Sequence, residues 1–211
     1  MSVMSNRVLA ALMLMAPVVL AGGLTAPAAA QNFSDGYKFL QAVDKKEADT
    51  VNQMLRAPGG STIVNARDVT DGHTALHIAV NRRDVPWINF LAGQGANANL
   101  ADNHGVTPLM RAVQLGFDEG VDALVRAGAR VDEANTAGET PLISAVHRRD
   151  MALMRTLLEA GADPDRVDNS GRSARDYAGL EGQNSATLAE IVRSARPASE
   201  RNPGASYGPR L

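Results

Sequence analysis

Apolar residues in this chain fall into short helical stripes, set in pairs and divided by glycine turns. Across 102–134, Ala112 and Val113 follow Leu109 at the three- and four-residue spacing that lines one face of an α-helix. Gly116 interrupts that stripe, and a second runs through Val121, Leu124 and Val125 before Gly128. A polar turn, Asn103-His104-Gly105, precedes both. Thr107 stands where its oxygen can cap the first helix, and Pro108 takes the first helical position, where a missing N–H does no harm. The pattern predicts helix, tight turn, helix, and an extended return through Ala129 to Ala134. Gly128 is expected to end the second helix in the left-handed conformation.

The unit returns every 33 residues, marked by Gly72-His73-Thr74, Gly105-Val106-Thr107, Gly138-Glu139-Thr140 and Gly171-Arg172-Ser173. One neighbour carries Leu76, Ala79 and Val80, then Trp87, Ile88 and Leu91; the next carries Leu142, Ala145 and Val146, then Leu153, Met154, Leu157 and Leu158. A period of this size predicts an array of stacked units sharing one continuous core. Alanine in the middle of each first helix lets helices approach closely. The first unit, 34–68, keeps Phe39, Leu40, Ala42, Val43, Val51, Met54 and Leu55 but lacks the threonine turn, and its exit from Pro58 to Asn65 is longer than the others. Units at the two ends are expected to be atypical, because each turns one side to water.

At Thr74-Ala75-Leu76-His77-Ile78-Ala79 the chain resembles the ankyrin signature Thr-Pro-Leu-His-x-Ala. Thr107-Pro108-Leu109 and Thr140-Pro141-Leu142 match its opening, with Met110 and Ile143 in place of the histidine. Leu157 to Asp163 is similar to the family's repeat exit, and Arg175-Asp176-Tyr177-Ala178 departs from the signature. The resemblance implies an all-α ankyrin-repeat solenoid of helix-turn-helix units with β-hairpin-like loops. Five repeats are expected over the domain 31–194, at 34–68, 69–101, 102–134, 135–167 and 168–194.

The first thirty residues stand outside that pattern. One cation, Arg7, precedes the apolar run Val8 to Leu24, and Ala28-Ala29-Ala30 supplies a small-residue exit. This reads as a secretory signal peptide at 1–30, cleaved after Ala30, in preference to an uncleaved anchor. The signal resembles bacterial Sec signals, which implies the periplasm, with full secretion as the alternative. Beyond Ala195, the Pro-, Gly-, Ser- and Arg-rich segment to Leu211 is expected to be a disordered tail.

Charge and composition narrow the function. With 21 Lys+Arg against 23 Asp+Glu, nothing draws the chain toward nucleic acid, or toward a membrane once the signal is removed. The absence of cysteine excludes disulfide staples, so stacking must supply stability. His73 and His77 have a two-ligand spacing but lack a third ligand, so no metal is expected. His77 instead takes the signature position, where the resemblance implies a hydrogen bond supporting the hairpin. Ser144, His147 and Asp150 lie close in sequence without a nucleophile elbow. Asp163 and Asp165 read as solvated loop acids. The chain is therefore expected to be non-enzymatic and without a cofactor.

The partner surface is expected on two sets of residues. The turns between helices read Asp44-Lys45-Lys46-Glu47, Asn81-Arg82-Arg83-Asp84, Gln114-Leu115-Gly116-Phe117 and His147-Arg148-Arg149-Asp150. Lys46, Arg83 and Arg149 replace the glycine the family prefers. Arg82, Arg83, Arg148 and Arg149 could form a basic ridge for an acidic protein, or simply a solvated face. In the ridge reading, their joint change to Glu spares helix content. The second set, implied by where ankyrin domains bind partners, comprises hairpin tips and first helices: Asp71, His73, Asn103, His104, Val106, Glu139, Asn169 and Arg172, with Asn81, Arg111, Gln114 and His147, and it shares Arg82 and Arg148 with the first. Trp87 is either core packing or a binding anchor. The expected protein is a monomer acting as an adaptor or modulator of an envelope protein. A secreted effector and an enzyme are the alternatives.

Overall fold

The computed structural model describes residues 28–182 and 185–197. The expected signal peptide lies outside these residues except at its end, where helix α1, Ala28–Asp44, runs through the expected cleavage point. The expected tail lies outside them beyond residue 197.

Helix pairs follow one another along the described chain. Helix α1 pairs with α2, Ala48–Arg56; α4, Ala75–Asn81, with α5, Val85–Gly93; α6, Pro108–Leu115, with α7, Asp118–Arg126. Then α8, Pro141–Arg148, pairs with α9, Met151–Glu159, and α10, Ala174–Gly179, with α11, Ala186–Ser194. The first helices stack in the order α1, α4, α6, α8, α10, and α5, α7, α9 and α11 make a second layer. Two isolated bridges, Arg67 with Thr74 and Val167 with Ser173, are the β-like part of the loops.

The sequence pattern explains each junction. Thr107 and Thr140 accept from the N–H of Met110 and Ile143, both at 3.2 Å, with Pro108 and Pro141 opening their helices. Ser173 and Asp176 cap α10 reciprocally. Leu76, Leu109 and Leu142, at equivalent positions, are all fully buried, as are Leu91, Leu124 and Leu157. The equivalent of this last column in α11 is Glu190, 6% exposed. Its carboxylate accepts from Arg155 of α9 at 3.1 Å and from Ser194 at 2.7 Å, and it also pairs with Arg193. The guanidinium beside it holds its pKa below the usual carboxylate range. The last pair thus closes the core with a charge that the previous helix neutralises.

Two features differ from the sequence pattern. The long exit after α2 is not extended: it turns at Gly59, which has φ 88°, into a short helix α3, Gly60–Ile63, and delivers Val64 to the core. A side chain at Gly60 would fall on the Leu55 backbone. The first hairpin tip carries one residue more than its successors. Gly72 N–H closes on Asp68 O four residues back, whereas Gly105 closes on Asp102 O three back. The extra residue leaves Val69 exposed.

Alanine ordinarily stabilises a helical site by up to about 1 kcal/mol over glycine. Gly60→Ala should reverse that sign and lower the urea unfolding free energy by about 1–3 kcal/mol, because the backbone at Leu55 must move. Gly93→Ala, where added atoms meet open space, serves as the control.

Candidate protein-interaction surface

Polar seams run across the repeats on both sides of the first helices. At the hairpin tips, Asn103 N–H donates to Asp71 O at 2.8 Å, Thr136 N–H to His104 O at 3.1 Å and Asn169 N–H to Ala137 O at 3.2 Å. At the repeat exits, Asn65 accepts from Asn97 N–H at 2.7 Å, Asn99 from Arg130 N–H at 2.7 Å and Asp132 from Asp163 N–H at 2.9 Å. The column ends at Asp165, which pairs with Arg175 at 2.7 Å. Asp165 thus joins the seam while its carboxylate stays half exposed, and the Asp163 carboxylate accepts from Asp165 N–H at 3.0 Å within the loop. Their regular spacing, beginning at Asn65, was the available signal.

His77 ties the second repeat to the third. The ring is fully buried. Its Nδ1 accepts the Thr74 backbone N–H at 3.1 Å, so Nε2 carries the proton and donates to Val106 O at 2.9 Å. Both ring nitrogens are committed, which leaves neither for a metal. His73 stacks on the ring with centroids 5.2 Å apart and lies 2.9 Å from Asp71 and 3.6 Å from Asp102. Burial pushes the His77 pKa down to about 4, partly offset by the Val106 carbonyl.

The basic turns serve the stack. Lys46, Arg83 and Arg149 adopt φ of 58°, 53° and 55°, the left-handed region. Each reaches forward to the next repeat. Lys46 meets Asp84 at 2.6 Å, Arg83 donates to Leu115 O and Gly116 O, and Arg149 meets Glu181 at 2.6 Å. Arg82 and Arg148 reach backward. Arg82 donates to Val43 O and to Asp44 O at 2.7 Å, and Arg148 donates to Gln114 O at 3.0 Å. These carbonyls end helices α1 and α6, where backbone acceptors lack helical partners and the macrodipole favours a cation. The ridge expected to stand free is in this way drawn into inter-repeat contacts, so its conversion to Glu does not leave stability untouched. Gly116 is glycine for two reasons: its φ is 61°, and the Arg148 guanidinium lies where a side chain would begin.

The remaining expected residues line the first helices and tips. Arg111 Nε donates to Asn81 Oδ1 at 2.7 Å. Glu139 accepts from Asn135 at 3.1 Å and lies 3.6 Å from His147, whose ring meets Tyr177 edge-on at 4.5 Å. The Arg172 guanidinium lies over the same ring at 5.9 Å. His104 is exposed; Gln114 and Val106 are half-buried, their carbonyls engaged by Arg148 and His77. Leu180, 70% exposed, continues the column Asn81, Gln114, His147 and was missed in the sequence. Its position 33 residues after His147 was the signal. Ser144 is buried in α8 while Asp150 caps α9 through Leu153 N–H, so these do not converge with His147. Trp87 is half-buried, packed on the core, edge-on to Phe90 at 5.4 Å, and faced by Arg82. A cleft of about 790 Å³ lies away from this face, among α1, α2 and α3. Among the described residues, no helix is long and apolar enough to cross a membrane.

Family models decide the classification. One for three copies of ankyrin repeats matches residues 39–135, and one for a single ankyrin repeat matches 137–169, together more than half the chain. The chain belongs to the ankyrin repeat family. The α10/α11 pair lies beyond the matched residues, as its altered signature would have it. Relatives of the chain come from distant sources. The ankyrin repeat protein FPV031 of fowlpox virus (strain NVSL) is 45% identical over 51 residues, 24% of this chain and 15% of that protein. The E3 ubiquitin-protein ligase KEG of Arabidopsis thaliana is 32% identical over 39% of this chain and 5% of its own length. The RelA-associated inhibitor of Mus musculus is 37% identical over 33% of this chain and 8% of its length. The chain thus spans a small fraction of the curated relatives it matches.

Two outcomes follow from this geometry. Changing Arg82, Arg83, Arg148 and Arg149 together to Glu should lower the unfolding free energy by about 2 kcal/mol or more, since the charged hydrogen bonds of the first three to helix-end carbonyls and the pair of Arg149 with Glu181 are lost. Urea titration followed by circular dichroism measures it. For His77, the depressed pKa means that the unfolded chain takes up a proton that the folded chain refuses. Stability should therefore fall as pH drops from 6.5 toward 4, by at most about 3 kcal/mol. In His77→Gln the slope between pH 6.5 and 5, above the range where carboxylates of the unfolded chain take up protons, should be largely lost, at the expense of lower stability at neutral pH.

Proposed function

We propose that this ankyrin array is a non-enzymatic binding module for another protein in an exported compartment, the periplasm first, where it modulates or shelters an envelope protein. The observation that carries the reading is the unlike set of side chains at equivalent outward positions. Asn81, Gln114, His147 and Leu180 occupy one column; His73, Val106, Glu139 and Arg172 occupy another. The buried columns keep one residue type over most repeats, as packing requires. The outward columns do not, which suits a surface specified by a partner. The mixed polar face, with Leu180 at one end, fits a polar, specific contact of the monomer with its partner. Export rests on the Ala28-Ala29-Ala30 exit behind the apolar run. The names of the relatives include an inhibitor and a ligase, and the overlap with each is confined to a small segment.

The test is capture of envelope proteins by the tagged full chain. His104→Asp combined with Leu180→Asp should reduce capture at least tenfold while the urea midpoint stays unchanged. Undiminished capture overturns the assignment of this face. Fractionation tests the compartment: recovery from the periplasm supports the proposal, whereas recovery from culture medium replaces it with a secreted effector.

A further inference from the structure

At the hairpin tips of the second to fifth repeats, the carboxylates are already engaged. Asp71 faces His73 at 2.9 Å, and Asp102 accepts from His104 N–H at 2.8 Å and Val106 N–H at 2.9 Å. Glu139 serves Asn135 and His147. Asp168 accepts from Tyr177 Oη at 2.7 Å, from Ser170 Oγ at 2.7 Å and from two backbone N–H groups, and these bonds hold its pKa far below the carboxylate range. The cations are engaged differently. Arg82, Arg83 and Arg148 hold helix-end carbonyls, and Arg149, Arg155 and Arg175 hold carboxylates. Arg111 meets only the neutral amide of Asn81, and Arg172 only the face of Tyr177. Neither has a carboxylate partner among the described residues.

We infer that this face takes an extended acidic segment of its partner, anchored by Arg111 and Arg172. The inference rests on the interaction reading given above. A guanidinium lying on an aromatic ring keeps its N–H edge directed outward, which favours two-point contact with a carboxylate. Arg111 is steadied by Asn81 in a similar way, leaving its terminal nitrogens for a ligand. The two cations belong to the third and fifth repeats. Stacked helices lie about 10 Å apart, so the anchors are separated by roughly 20 Å. An extended chain rises about 3.3 Å per residue, so two carboxylates about six residues apart match that span. An even separation also sets both on the same side of the strand. Between them stands Glu139, which disfavours an acid in the middle of the segment and sets the direction of discrimination.

The probe is a fluorescein-labelled Gly/Ser peptide carrying Glu at both anchor positions, compared with its Gln counterpart by anisotropy on the full chain. At low ionic strength the Glu peptide should bind about tenfold more tightly, and salt near 0.5 M should erase the difference. Arg111→Gln and Arg172→Gln should each remove most of the discrimination. Arg126→Gln, on the exposed side of α7, should leave it intact, with circular dichroism verifying the fold of all three. Equal binding of the two peptides, or an Arg126→Gln loss as large as the others, overturns the acidic assignment. If the peptides bind alike while His104→Asp with Leu180→Asp still abolishes capture, the interaction reading survives this failure. If capture is unaffected as well, both fall.

Discussion

A pair of short helices cannot bury both of its sides by itself, and everything else in this molecule follows from the need to stack on a neighbour. Seven to nine residues make too few turns for a stable isolated helix. Each pair therefore presents Leu and Ala to the pair before it and the pair after it. The fully buried Leu76, Leu109 and Leu142, in consecutive first helices, record that repetition. Apolar contact supplies attraction without direction, so the register between pairs comes from the polar seams. Asparagine and aspartate at the exits, backbone bonds between tips and His77 between the second and third repeats each fix one pair against the next.

The basic turns show how the same logic overrides a local preference. A left-handed residue with a side chain is disfavoured by about 1 kcal/mol relative to glycine. Lys46, Arg83 and Arg149 take that conformation nonetheless. Each sends its cation to an acceptor on the next repeat, a contact glycine cannot make. Glycine returns at Gly116, where Arg148 of the following repeat already covers the turn, and at Gly182, with φ 105°.

Much of this was legible in the sequence, and the limits have physical causes. The 33-residue period, the Thr-Pro caps and the core columns are local patterns, and they gave the helices, the turns and the family. The sequence also posed the question of left-handed cations correctly. What it could not supply was the destination of a long side chain. Arg82 and Arg83 are adjacent, yet one caps a helix in the repeat before and the other in the repeat after. An arginine side chain is long enough to meet the facing carbonyls of a neighbouring repeat, so exposure of the turn said nothing about whether the charge was free. The pairing of Asp165 was hidden for the same reason, its partner Arg175 lying in the next helix pair. The helix α3 was missed because Pro58-Gly59-Gly60 looks like a loop, and only the close approach of Gly60 to Leu55 makes the turn fold inward.

The division of the cations bears on how such a surface can change without loss of the fold. Arg82, Arg83 and Arg148 are held by carbonyls that every first helix must expose at its end, so their partners are fixed by backbone geometry. Arg111 and Arg172 occupy positions that other repeats fill with Ile78 and Ser144, or with His73 and Glu139. Substitution there leaves the carbonyl caps, the seams and the leucine columns in place. Binding chemistry can accordingly be rewritten one repeat at a time, provided the residue chosen does not remove an acceptor that a neighbouring repeat uses. Gln114 illustrates the boundary: its side chain is open to change, while its carbonyl, required by Arg148, belongs to the stack.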